Sequence, residues 1–552
     1  MNGLGLLSAL WLTPLIGALV VVVLPSGARR AARPLALATS LVVLAVAVAL
    51  AVGFDPGGDT HQFVESRPWI PAFGASYSLG LDGIALVLVL LTAALMPLLL
   101  LAGWHDVPAS DGASEDRARD AGVRDAGGTG ADGRSPHSRR AQAYPALMLA
   151  TQGLALVAFT SLDVLLFYVA FEAMLIPLYF LIGGFGRNDS SGADRAAAAV
   201  RFLIYNLLGG LVMLAAVIGL YVLTARAGLG AAGTEGGSAG TGSIGAGTFD
   251  YRLITGAVAD GRLEITPGVA LLMFAAFTLA FAIKAPLWPF HTWLPGAAVA
   301  ATPASAVLMM AVVDKVGTFA MLRYSLPLFP DAAATAAPVL VTLAVISIVY
   351  GGVMAIAQTD LLRLIAYASI SHFGFIVLGI FARTEQSTAG SALYMVNHGI
   401  ATAALFLVAG FLVRRHHIRE IGYYGGVQQV APMLAGVFLI AGLATLSLPG
   451  LAPFVSEFLV FVGTFGPYPV AAVLATSTFV LAAIYILWTY QRVMGGPAAP
   501  GLARTPDLDA RELVVVIPLV VALIVLGLYP QPALDVIEPA VAHTVALVGG
   551  AR

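Results

Sequence analysis

The chain has 552 residues, of which 59% are hydrophobic and 11% charged, with a mean hydropathy of +0.91 and a net charge of −2. A soluble domain carries about 25% charged residues, so the composition is that of a polytopic membrane protein, and the near-zero charge offers no basic surface for nucleic acid. Cysteine is absent, which excludes disulfides, thiolate metal sites and cysteine-ligated iron–sulfur clusters.

Apolar runs of span length fall at 4–24, 35–54, 83–103, 144–162, 164–184, 199–224, 267–287, 304–325, 337–357, 361–382, 391–413, 431–466, 470–491 and 512–529, each long enough to cross a bilayer as a helix. The run 431–466 is too long for one simple helix and is broken at Leu448-Pro-Gly-Leu-Ala-Pro453. Counted as one interrupted span, it brings the total to 14 and the expected fold class to an all-α polytopic membrane protein. The first run has no Lys or Arg before Arg29, so it reads as a retained span rather than a secretory signal with a basic leader. With the N-terminus outside, the loops then inside hold 19 arginines and the outer segments 7. This bias supports both termini outside. The chain has 26 Arg and 2 Lys, with abundant Ala and Gly, the composition expected of a GC-rich bacterial genome.

Two loops are compositional outliers. Residues 105–142 are rich in Asp, Arg, Gly and Ser, and residues 226–248 are nearly all Gly, Ala, Ser and Thr; both read as flexible insertions. The expected organisation is three N-terminal spans (1–104), a polar insertion (105–143), a five-helix unit (144–325, containing a flexible loop at 226–265), a second five-helix unit (337–493), and a last span with a short tail (494–552). The fourth helix of each unit is proline-broken, at Pro286 and Pro289 in one and at Pro449 and Pro453 in the other. Five is odd, so the second unit would run inverted, and interrupted helices at matching positions of inverted halves point to a transport site.

The two lysines, Lys284 and Lys315, both fall in this pattern at membrane depth. An ammonium there costs several kcal/mol and faces protein or a wet path. Further ionisable groups within spans are Glu172 in the fifth, His372 in the tenth, His398 in the eleventh and Glu457 after the break in the twelfth. One titratable group per helix forms a row able to hand on protons. Burial disfavours the charged form of each, while a carboxylate opposes this for a lysine. At an assumed separation of about 7 Å and an effective dielectric of about 20, Glu172 and Lys284 interact by roughly 2.4 kcal/mol, enough to make one a switch for the other. Plainer roles stand beside this one. Glu172 and Lys284 could form a static ion pair, and His372 and His398 could be packing residues. Lys315 could be structural, although Asp314 beside it does not face it on a helix. His291, at the break, could serve only to bond freed carbonyls. Asp163, Asp360 and Arg363 sit at span ends as caps or anchors, and His416 and His417 are expected to be solvated.

The segments Lys284-Ala-Pro-Leu-Trp-Pro-Phe-His-Thr-Trp-Leu-Pro295, Thr302-Pro-Ala-Ser-Ala306, Gln358-Thr-Asp-Leu-Leu-Arg-Leu-Ile-Ala-Tyr-Ala-Ser-Ile-Ser-His-Phe-Gly374 and Asn397-His-Gly399 resemble the antiporter-like membrane subunits of respiratory complex I. Within that family the acidic residue in Phe454-Val-Ser-Glu-Phe458 is similar to the M type, where the L and N types tend to carry lysine. Nor does a lateral helix of the L type's length follow the last span. The resemblance implies 14 helices in two inverted five-helix repeats, Glu172 and Lys284 as a coupled pair, Lys315 as a central relay, Glu457 as the terminal group, and His372 and His398 in the connection between them. It implies no cofactor on this chain, with FMN, iron–sulfur clusters and quinone on partner subunits. The partners would be other membrane subunits of the complex, above all neighbouring antiporter-like ones, and lipid, and the location a bacterial plasma membrane. One departure is Leu362, where the family often has lysine. The alternative is a subunit of a multi-subunit cation/proton antiporter with no redox partner; the plainest reading is a membrane scaffold.

Overall fold

A computed structural model describes residues 5–106, 136–186, 192–230 and 247–549. Most of the two insertions lies outside the described residues. Within 226–265, the described part contains a short helix, Tyr251–Ala259, whose N-terminus is capped by Asp250. Thirteen described helices are long and apolar enough to cross a membrane. In chain order they are spans 1 (Leu6–Val23), 2 (Ala28–Gly53), 3 (Gly83–Ala102), 4 (Gln142–Thr160), 5 (Val164–Gly183), 6 (Gly192–Arg226), 7 (Pro267–Lys284), 8 (Pro303–Leu328), 9 (Pro330–Ile356), 10 (Leu361–Ala382), 11 (Glu385–His416), 13 (Pro469–Met494) and 14 (Ala510–Leu528). Two shorter apolar helices, Pro432–Thr445 and Ala452–Phe465, together make the interrupted span 12. Each segment matches a run anticipated from hydropathy.

Spans 8, 10 and 11 form the centre. Their apolar windows are 94–100% buried, whereas those of spans 1, 2, 13 and 14 are 28–39% buried. The outer helices present apolar side chains such as Val52, Val470, Val480 and Leu528 outward, as lipid requires. The inner three are rich in buried polar side chains, among them Asp314, Lys315, His372, Asn397 and His398, which protein surrounds in place of lipid.

A β-hairpin breaks the all-helical pattern. Gln62–Ile70 pairs antiparallel with Ala75–Leu81 through a turn at Gly74, whose φ of 61° is glycine's region. Hydropathy does not reveal it, since its strands mix polar and apolar residues with no long apolar run. The hairpin binds helix ends. Glu65 accepts hydrogen bonds from the backbone N–H of Leu7 and Ser8 at 2.8 and 3.2 Å, satisfying orphan donors at the start of span 1. Asp163 caps span 5 through Leu165 and Leu166 N–H, both at 3.0 Å, and its other oxygen accepts from Ser76 N–H of the hairpin at 2.8 Å. Asp82 caps span 3 through Ala85 N–H and pairs with Arg323 of span 8 at 2.6 Å. His61, beside that guanidinium at 3.4 Å, is pushed down to about 4 by burial and then by Arg323, so near neutral pH it is an uncharged acceptor.

The other end of the bundle is closed by Arg414 and Arg415, at the end of span 11, which both pair with Glu512 of span 14 at 2.5 Å. Asp360 caps span 10 through Leu362 and Arg363 N–H, the role anticipated for it. His416, expected to be solvated, is half-buried and contacts Thr505 at 2.9 Å. After span 14 the tail folds as a helix, Gln531–Leu547, packed on spans 3 and 11.

Asp163 joins a cap to a tertiary tie. Asp163→Ala is expected to destabilise the chain by about 1–2 kcal/mol, read as a lower thermal midpoint in detergent, while Asp163→Asn, whose amide can accept at one end only, keeps the cap but not the tie to Ser76 N–H and so recovers part of it. Equal midpoints for Ala and wild type would show that the tie carries no stability.

Candidate functional site

Six spans bring their ionisable groups inward. Span 5 bends after Ala173, where Met174 separates two helical stretches and Pro177 cannot donate to the Ala173 carbonyl. Glu172 lies at this bend. Its Oε1 is buried with no hydrogen-bond partner in the protein, and it packs against Gly210 of span 6, where a built Cβ would lie 1.8 Å from that oxygen. The carboxylate occupies the space that the missing side chain leaves open there.

Span 7 ends at Lys284 because Pro286 and Pro289 supply no N–H to continue it. Ala285 and Leu287 close the last turn onto Phe281 and Ala282 carbonyls, and the Trp293 indole N–H bonds the Ile283 carbonyl at 2.9 Å. Lys284 is 1% exposed. Its ammonium donates to the Phe171 carbonyl at 2.6 Å and lies 3.5 Å from the centre of the Phe171 ring. The coupled pair expected from sequence is therefore not a closed salt bridge: Lys284 binds the backbone one residue before Glu172. The two are neighbours through Phe171 rather than partners in a bond. His291, in the break, does not bond freed carbonyls. Neither ring nitrogen has a protein partner, and the ring packs edge-on against Tyr350, 4.9 Å between centroids.

Span 8 contains a π-turn, Met309–Val313, immediately before Asp314 and Lys315; such turns recur at functional sites. Lys315 is fully buried. Its Nζ contacts the Met310 carbonyl at 3.2 Å and His398 Nδ1 at 2.5 Å. Two cations cannot share that distance. Either the ammonium donates to a neutral imidazole, or the imidazole donates to a neutral amine. The other ring nitrogen, Nε2, faces Thr402 Oγ1 at 3.1 Å, a hydroxyl that can donate or accept and so suits both states.

His398 leads onward. Its ring centroid is 5.3 Å from that of His372 on span 10. His372 Nδ1 hydrogen-bonds the Tyr394 hydroxyl, which in turn hydrogen-bonds Glu457 Oε1, and the His372–Glu457 pair itself is 3.5 Å apart. Glu457 is 1% exposed and its second oxygen has no protein partner. It stands five residues into the helix that follows the break of span 12. Asn397 holds that helix start, donating to the Ala452 carbonyl at 2.8 Å and to Ser456 at 3.0 Å.

The structure thus places Lys315, His398, His372 and Glu457 in one contiguous array and sets Glu172 and Lys284 beside each other as a second group. Sequence reasoning missed Tyr394, the hydroxyl that joins His372 to Glu457. Its spacing was a signal, since Tyr394 and His398 are four residues apart and share a face of span 11. Leu362, where a lysine might have been expected, is buried and apolar.

A family profile described as "NADH:quinone oxidoreductase/Mrp antiporter, TM" matches residues 161–484. NADH-quinone oxidoreductase subunit M of Mycobacterium tuberculosis (strain H37Rv) is 54% identical over 549 residues, covering 100% of this chain and 95% of its own. The Rhodobacter capsulatus subunit M is 37% identical, with 98% and 96% covered. A chain of respiratory complex I from Thermus thermophilus superposes with a TM-score of 0.79 at 29% identity, over 98% of this chain and 99% of that one. A chain of the Mrp complex from Dietzia sp. DQ12-45-1b has the same TM-score at 21% identity, covering 100% of both chains, a likeness of fold. The chain therefore belongs to the NADH:quinone oxidoreductase/Mrp antiporter transmembrane family, as a bacterial antiporter-like subunit of the complex I M type.

Proposed function

We propose that this chain carries protons across the bacterial plasma membrane as a subunit of an NADH:quinone oxidoreductase, driven by redox chemistry on other subunits. The observation that carries the reading is the array Lys315–His398–His372–Tyr394–Glu457. Each member can hold a proton or pass one; the two imidazole rings pack with their centroids 5.3 Å apart, and the contacts on either side of them are within hydrogen-bonding distance. Glu172 and Lys284 serve as the input. When the carboxylate is charged it favours a charged Lys284; when it is neutralised, the buried ammonium loses that support and gives up its proton.

Glu172 is half-buried, flanked by the exposed apolar side chains Val169, Ile176, Leu208 and Leu211 of spans 5 and 6. That face suits a neighbouring antiporter-like subunit, whose own charges would then act on the input carboxylate. Flavin, iron–sulfur clusters and quinone would sit on partner chains; with no cysteine, this one can ligate no cluster through thiolates. We further read 144–325 and 337–493 as two inverted five-helix repeats, with both termini outside. In support, spans 7 and 12 are interrupted at matching places, and each holds a proton carrier beside its break.

An antiporter without redox partners has less behind it, since its structural relative is 21% identical against 54% for the subunit M relative. Gentle purification separates the two: flavin and iron–sulfur subunits are expected to copurify, and their consistent absence would favour the antiporter.

For Lys284→Ala and Glu172→Gln, assembly should persist while NADH-driven acidification of inverted vesicles falls roughly tenfold or more. Normal pumping in both would remove the mechanism. Tyr394→Phe keeps the ring and deletes the hydroxyl between His372 and Glu457. It should also cost about tenfold in pumping with the amount of complex unchanged, and full pumping there would show that protons take another route.

A further inference from the structure

Asp314 belongs to none of the roles assigned above. It is fully buried at membrane depth, and neither carboxylate oxygen has a hydrogen-bond partner in the protein. A group in that condition calls for an explanation. It does not cap a helix, because span 8 runs unbroken through the π-turn into Asp314, whose own N–H is bonded to the Met309 carbonyl. It does not form a closed ion pair with Lys315, whose ammonium is engaged by Met310 and His398.

The direction of its side chain follows from the helix. Asp314 and Gly317 are three residues apart and lie on one face. At Gly317 a built Cβ would lie 2.7 Å from the Phe281 carbonyl and 2.9 Å from the Ala285 N–H, so that face is pressed against the last turn of span 7, where Lys284 stands. Lys315, one position on, turns toward span 11 and His398. Asp314 thus adjoins Lys315 in the chain and lies on the face turned to the turn that holds Lys284, with neither oxygen closed into a bond to either lysine. The dipeptide Asp314-Lys315 therefore presents an acid to the Glu172–Lys284 group and a base to the array that ends at Glu457.

We propose that Asp314 is a proton relay joining Lys284 to Lys315, the link between the two groups of carriers. This rests on the function proposed above and names a further residue for it. In the step, an N–H bond of the Lys284 ammonium breaks and leaves its electron pair on a neutral amine, and an O–H bond forms on Asp314, directly or through bridging water. That O–H bond then breaks in favour of the neutral Lys315 amine, which has already passed its own proton to His398. Asp314 returns to carboxylate, and one positive charge has advanced from span 7 to span 8.

The test compares Asp314→Asn, Asp314→Glu and Lys284→Ala in the complete complex in inverted membrane vesicles energised with NADH. Readouts are complex content on native gels and acidification per complex. Asp314→Asn should assemble at the wild-type level, since no hydrogen bond is lost, and acidify roughly tenfold more slowly or worse, and Asp314→Glu should recover most of the rate. If Asp314→Asn pumps normally while Lys284→Ala does not, the relay is overturned and the proposed function stands. If Lys284→Ala also pumps normally, both fall. Failure of Asp314→Asn to assemble, or equal rates for Asn and Glu, would make the carboxylate a structural partner and would equally overturn the relay.

Discussion

Two basic nitrogens lie 2.5 Å apart between spans 8 and 11, in the most buried part of the bundle. In water, a lysine and a histidine would each keep its own hydration and its own charge. Here neither can be hydrated freely, and at 2.5 Å the two cannot both be cations, so at most one of them carries a charge. The other features of the centre follow from the cost of holding charge in a medium that cannot solvate it. Spans 8, 10 and 11 are withdrawn from lipid, their polar groups face one another, and the helices that approach them are interrupted or bent.

Those interruptions have plain causes. Prolines remove the donors that would continue spans 7 and 12, and the freed chain ends are held by side chains: Trp293 on the Ile283 carbonyl and Asn397 on that of Ala452. Glycine makes the close approaches. At Gly210 it admits the Glu172 carboxylate, and at Gly317 it lets span 8 touch the backbone of span 7. At the two faces of the bundle the same physical need is met differently. Carboxylates bond the N–H groups of helix starts and double as ties between segments distant in the chain, as Glu65, Asp163 and Glu512 do.

Much of this could be read from the residues in advance. Hydrophobic runs located each span, because a bilayer imposes a length on apolar sequence that few other constraints match. The ionisable groups stood out because charge at such depth is rare. What could not be read was contact. Nothing in the spacing says that Lys284 reaches the Phe171 carbonyl in preference to the Glu172 carboxylate, since that depends on a bend set by Pro177 and a slot set by Gly210 on another helix. The hairpin at 62–81 escaped because its strands are stabilised by helix ends elsewhere and not by alternation of their own. Tyr394 was hidden by its chemistry, since an aromatic residue in an apolar helix is ordinary until a histidine and a glutamate are seen on either side of its hydroxyl.

The π-turn ahead of Lys315 directs the Met310 carbonyl at its nitrogen, 3.2 Å away. A fixed dipole of this kind holds an ammonium strongly and an amine adequately, because either retains a hydrogen to offer it. The side chain thus has an anchor that persists through both of its protonation states. Under the proposed function its charge would come and go while its atoms stay where they are, and hydrogen ions would pass this point without the helix, or the lysine on it, having to swing.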